Sequence, residues 1–114
     1  MPAIHTADIK SDRPTADQAP RRVDMALAMA RMSGASAVKL IHGYGSTGKG
    51  GRIRTEARRR LGELRAKGKV KGFIPGEDFS IFNADTRSAF QACAALRQDG
   101  DLDRRNNGVT IVLL

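Results

Sequence analysis

A chain of 114 residues with 40% apolar content suits one compact domain and leaves no room for two. Twenty Lys or Arg against twelve Asp or Glu give a net charge of +8, and the lone Cys93 excludes an internal disulfide framework and fits a reducing compartment. The opening residues MPAIHTADIKSDRP carry charges where a secretory leader needs an apolar run, and no stretch approaches the roughly 18 apolar residues of a membrane span. The expectation is a soluble cytoplasmic protein with no membrane partner.

The chain alternates its periodicities. PAIHTADI predicts a first strand, with Pro14 as the breaker that closes the segment 1–14. Thr15 and Gln18 have the spacing of a capping box, and Pro20 lies near a first helical turn, where its missing amide hydrogen matters least. Ala19, Val23, Ala26, Leu27 and Ala30 then form a helical stripe that Gly34 stops. AVKLIH is a second strand ending at His42, followed by the glycine-rich run GYGSTGKGG. A second helix begins near Gly51 or Arg52, with Ile53, Ala57, Leu61 and Leu64 inward and Gly68 as its C-terminal cap. On it, Arg52, Arg58, Arg59 and Arg65 turn outward or sideways. VKGFI from Val70 is a third strand, stopped by Pro75 and Gly76, and FSIF is expected to continue the sheet. Asn83 or Asp85 caps a third helix with Ala89, Phe90, Cys93 and Leu96 inward, QDGDLDRRNNG reads as a solvated loop, and GVTIVLL is the last strand.

The charge is concentrated. Residues Lys49 to Lys71 hold ten Lys or Arg and two Glu, so they carry the whole excess, and the rest of the chain balances at ten of each sign. Such a run is either a solvated helix face or the footprint of a polyanion; with two acids to ten bases, a polyanion such as DNA or RNA is favoured.

The glycine run satisfies two nucleotide patterns at once. Gly43, Gly45 and Gly48 spell GxGxxG, while Gly43, Gly48 and Lys49 spell the first seven positions of a phosphate loop. Gly50 occupies the place where a phosphate loop needs its metal-binding Ser or Thr, and the last strand carries no Asp. The dinucleotide pattern wants an acidic residue at the end of the next strand, where only the late Glu77 stands. Neither pattern implies a cofactor here. Their common physics remains: glycines between strand and helix let the backbone approach an anion, and the helix start offers free amide hydrogens. The alternative is a tight strand-to-helix turn with no ligand. Lys49, Arg52, Arg54 and Arg58 surround it.

The run VKLIHGYGSTGKGGRIRTEARRRL resembles the centre of the small MutS-related (Smr) domain family, with His42, Gly43 and Gly45 matching its HGxG. Gly34, the preceding helix, VKGF and NNGVTIVLL match the flanks, so the resemblance spans nearly all of the chain as a single domain, 1–114. It implies a small two-layer α/β sandwich of βαβαββ type, similar to the C-terminal domain of bacterial translation initiation factor three. Residues 79–105 then stand as an insertion that adds a helix before the last strand. It also implies nucleic-acid binding and, in some members, endonuclease activity on DNA or RNA. The family's LDxHG-like motif corresponds to ADIKS, where Asp8 is matched but Lys10 and Ser11 replace His and Gly.

On that resemblance the candidate catalytic residues are His42 and Asp8, and the candidate nucleic-acid contacts are Gly43, Tyr44, Gly45, Lys49, Arg52, Arg54, Arg58 and Arg59. His42 is either a general base or a strand-end imidazole that holds the turn; Asp8 either orients it or caps a turn. A lysine cannot take over as base near neutrality without a large pKa shift, so cleavage is in doubt while binding stands. No pair of His, Cys or carboxylate residues has a recognisable metal-ligand spacing. The competing expectation is a noncatalytic domain that meets a protein or ribonucleoprotein.

Overall fold

A computed structural model describes residues 3–12, 14–44 and 51–114. Strand β1 (Ile4–Asp8) leads through a single 3-10 turn at Ala16–Gln18 into helix α1 (Ala19–Met32). Strand β2 (Ala37–Ile41), helix α2 (Arg52–Ala66) and strand β3 (Gly72–Pro75) follow, then helix α3 (Ala84–Ala92) and strand β4 (Val109–Leu113). The described strands form one mixed sheet in the order β1-β2-β4-β3, with β1 parallel to β2 and both β2 and β3 antiparallel to β4. The sequence-predicted α/β class, with three helices and four strands, is what is seen.

Local chemistry sets the element ends as the sequence suggests. The Gln18 side chain accepts from the Thr15 amide at 2.9 Å, and Pro20 stands in the first turn of α1. Asn83, rather than Asp85, caps α3 by accepting from the Thr86 amide at 3.0 Å. Helix α2 ends in a Schellman motif: the Gly68 amide reaches the Arg65 carbonyl at 3.0 Å and the Lys69 amide reaches Leu64 at 2.8 Å. Gly68 takes φ +70°, a left-handed conformation that a side chain makes costly.

Strand alternation divides the core in two. Val38, Leu40 and Val112 face one way and pack with Val23, Leu27 and Ala30 of α1 and Ala57, Leu61 and Leu64 of α2. Ala37, Ile74 and Ile111 face the other way, under Phe79, Ala89, Phe90, Cys93 and Leu96. Both faces of the sheet are therefore covered. The expectation of two layers is corrected to three: the segment 79–105 is not an appendage but the lid of a second core, built on the strand positions that alternate away from α1 and α2.

Two further expectations change. FSIF does not extend the sheet, because Gly76–Asp78 forms a 3-10 turn and Phe79 turns into the second core, fully buried. The inward stripe of the third helix is buried as expected, but α3 stops at Ala92; Cys93 is extended at φ −148°, and Leu96 is carried by a separate 3-10 turn, Ala94–Gln98. The DGDLD run is solvated only in part: Gly100 and Asp103 are exposed, but Asp99 and Asp101 both pair with Lys39 on β2, the first at 3.0 Å.

The loop between β3 and α3 is seated by a close approach. A Cβ on Gly76 would stand 1.9 Å from the Asn106 carbonyl oxygen and 2.7 Å from Val109, so no other residue fits there without displacing backbone. No described helix is long and apolar enough to cross a membrane.

Candidate functional site

The adjacent ends of β1, β2 and β4 place the sequence-predicted site residues. Asp8 is in register with Ile41, the Ile9 amide donates to the Ile41 carbonyl at 3.0 Å, and Ile41 is in register with Val109. Beyond Ile41, the amides of His42 and Gly43 both donate to the Gly108 carbonyl at 3.0 Å. Lys10 passes over Gly43, with Cδ 3.0 Å from where a Cβ would stand. Lys10, His42, Gly43, Tyr44, Asn106 and Gly108 share one cleft. Gly45 and Lys49 lie outside the described residues.

His42 is buried, at 2% exposure, and both ring nitrogens are engaged. Nδ1 lies 3.1 Å from the Gly43 carbonyl oxygen, which can only accept, so Nδ1 carries the proton. Nε2 lies 2.8 Å from Thr110 Oγ1, and that oxygen accepts from Arg58 Nε at 3.0 Å. The directions then fix themselves: Arg58 donates to Thr110, Thr110 to His42 Nε2, and His42 Nδ1 to Gly43. Burial is the largest cause holding the imidazole pKa down, to about 4; the Gly43 carbonyl opposes it, while the charges of Arg58 and Arg54 add to it. His42 is a neutral acceptor whose base nitrogen already holds a hydroxyl proton, so it is poorly fitted to abstract one near neutrality.

Asp8 makes no hydrogen bond with His42. Its Oδ1 accepts from the amides of Lys10 at 2.9 Å and Ser11 at 3.0 Å, and its Oδ2 accepts from the Ser11 hydroxyl at 2.8 Å. Slight burial would raise its pKa, but these hydrogen bonds and nearby Lys10 outweigh it and hold the carboxyl below its usual range. The residue closes the turn after β1. His42 and Asp8 are therefore brought to neighbouring strand ends without forming a base and its orienting partner.

The basic residues of α2 divide into two kinds. Arg58 turns toward β4, with its guanidinium bound to both Glu77 carboxylate oxygens at 2.9 and 2.7 Å and its side chain 19% exposed. Burial would raise the Glu77 pKa, yet the Arg58 hydrogen bonds hold it low. Arg59 pairs with Glu56 on the same helix, and Arg60 pairs with Asp24 on α1 at 2.9 Å. Of the residues expected to meet phosphate, Arg58 and Arg59 are thus already neutralised, whereas Arg52 is exposed and makes no ion pair among the described residues.

Tyr44 is half exposed and tied back. Its hydroxyl donates to Asn106 Oδ1 at 2.6 Å; the same oxygen accepts from the Gly108 amide at 2.9 Å, and Asn106 Nδ2 donates to Asp101 at 2.8 Å. Asp101 in turn pairs with Lys39, and this hydrogen bonding, with that from Asn106, outweighs the effect of burial and keeps the Asp101 pKa low. The sequence reading missed Thr110, Asn106 and Lys39. Thr110 carried a signal, as the one polar residue in the apolar run VTIVLL, on the same face as Val112.

Among the described residues, no group of three His, Cys, Asp or Glu is placed to hold a metal ion. Comparison of the chain with family models, with curated proteins and with solved structures finds no match.

Proposed function

We propose that this chain is an Smr-like domain that binds nucleic acid through its phosphates and does not use His42 as a base for cleavage. The observation that carries the reading is the unbalanced charge: the whole excess of +8 lies in residues 49–71, and exposed cations there, Arg52 among them, have no acidic partner in the described structure. The order of elements supports the Smr likeness, with the extra helix where the insertion is expected. The closed chain of donors from Arg58 to Gly43 supports binding over hydrolysis.

A second reading, docking to a protein, is favoured by one specific feature. Met25, Met29 and Met32 follow each other at helical spacing on α1 and are 58%, 58% and 88% exposed.

The test is binding of labelled single-stranded RNA, linear DNA and branched DNA at two salt concentrations, with His42→Gln alongside. Salt-sensitive binding of any of these by both proteins, with no cutting by either, is expected. Cutting that disappears in His42→Gln would overturn the noncatalytic part, and absence of binding would turn attention to the methionine face.

A further inference from the structure

Five exposed cations lie at and beside the C-terminal end of α2. Arg65 lies in the last turn of the helix, Lys67 is its cap, and Lys69 and Lys71 follow the Schellman turn on either side of the buried Val70. Arg31, from the last turn of α1, donates to the Lys69 carbonyl and shares with Lys71 a hollow bordered by Ser36 and Leu114. No carboxylate lies within ion-pair reach of any of the five among the described residues. Arg58, Arg59 and Arg60, by contrast, are each matched to an acid. Where the fold needs a cation on α2 it supplies a carboxylate; here it supplies none. The dipole of a helix C-terminus favours the nearest one or two of these residues but gives no reason for Lys69, Lys71 and Arg31 to collect beside them.

We propose that this rim, Arg31, Arg65, Lys67, Lys69 and Lys71, is a second phosphate-binding surface for the same nucleic acid strand that meets the glycine turn. The inference rests on the nucleic-acid reading and adds a footprint to it. Helix α2 has fifteen residues, about 22 Å at ~1.5 Å each. That is roughly six or seven nucleotide steps at ~3.4 Å per strand. Arg58, midway along the helix, is held by Glu77 and is not one of the contacts, so the strand is expected to be gripped at the two ends of α2 and to pass over its middle.

The test compares the protein with a Lys67→Gln/Lys69→Gln/Lys71→Gln variant and a Lys67→Arg/Lys69→Arg/Lys71→Arg variant on a 20-nucleotide single strand, with circular dichroism to confirm equal folding. The Gln variant is expected to bind at least about tenfold more weakly near 0.1 M salt, with a salt slope shallower by up to about 2, while the Arg variant binds as the parent does. Unchanged affinity and slope in the Gln variant, with the parent binding, would overturn the second surface and leave the nucleic-acid reading intact. Equal loss in the Arg variant would also overturn it, since charge would not be the cause. A parent that binds no nucleic acid overturns both.

Discussion

The two ends of α2 carry similar residue types and are built in opposite ways. In the first half of α2, Arg52 faces solvent but the other charge and hydrogen bonding turns inward: Arg58 binds Glu77 and Thr110, Thr110 meets His42, and Tyr44 holds Asn106. At the C-terminal end, a local turn of backbone hydrogen bonds finishes the helix and leaves the cations facing solvent. A basic residue therefore says little about binding until its partner is known. Arg58 looks like a phosphate ligand in the sequence and serves as an internal strut, whereas Lys69 and Lys71 are unassigned by motif and remain available.

The comparison breaks most sharply at Gly76. Gly76→Ala forces a methyl group into the Asn106 carbonyl and is expected to destabilise the fold by about 4 kcal/mol or more, measured as a shift in the urea midpoint. With no Trp and Tyr44 as the single tyrosine, tyrosine fluorescence reports the N-terminal end of α2 and should be altered under native conditions in this variant. If stability is unchanged, the backbone there yields more than its packing implies.

A smaller effect is expected from protonation. The folded His42 pKa, about 4, lies below its ordinary 6.5, so between these values the unfolded chain binds a proton that the folded chain does not. Stability contributed by the neutral imidazole is thus complete above pH 6.5 and falls as the pH drops toward 4, by about 3 kcal/mol in all. Denaturant titrations across that range should show the slope in the parent and a flatter one in His42→Gln. An identical slope in both would mean that the imidazole is not held neutral.

Smallest is Gly68→Ala, expected to cost about 1 kcal/mol from the left-handed backbone alone, since nothing lies within 4 Å of the added methyl. Tyrosine fluorescence of the folded variant should match the parent, because no side-chain hydrogen bond joins the two ends among the described residues.

The same contrast explains what could be read in advance. Gly68, Thr15 with Gln18, and the stripe Ile53, Ala57, Leu61 and Leu64 act over three to eleven residues, so their spacing shows in the sequence. His42 with Thr110, Arg58 with Glu77 and Lys39 with Asp99 lie 68, 19 and 60 positions apart, and no local period connects them. Asp8 was open in the sequence between orienting His42 and capping a turn, and the amides and hydroxyl of the residues just after it decide for the cap. The third layer was legible as a helix and not as a layer: its apolar stripe was plain, while the sheet face it covers became evident only once Ala37, Ile74 and Ile111 were placed side by side.

Strand β4 follows every other element along the chain yet lies between β2 and β3. Until it arrives, β3 has no neighbour in the sheet, and β1 with β2 is a two-stranded ribbon backed by helices on one face alone. On a ribosome these pieces must wait for the last strand to be made, and the pairing of Ile41 with Val109 then closes a loop of 68 residues in one step. Folding of this domain should be slower than its size suggests, and most exposed to misassociation just before β4 is complete.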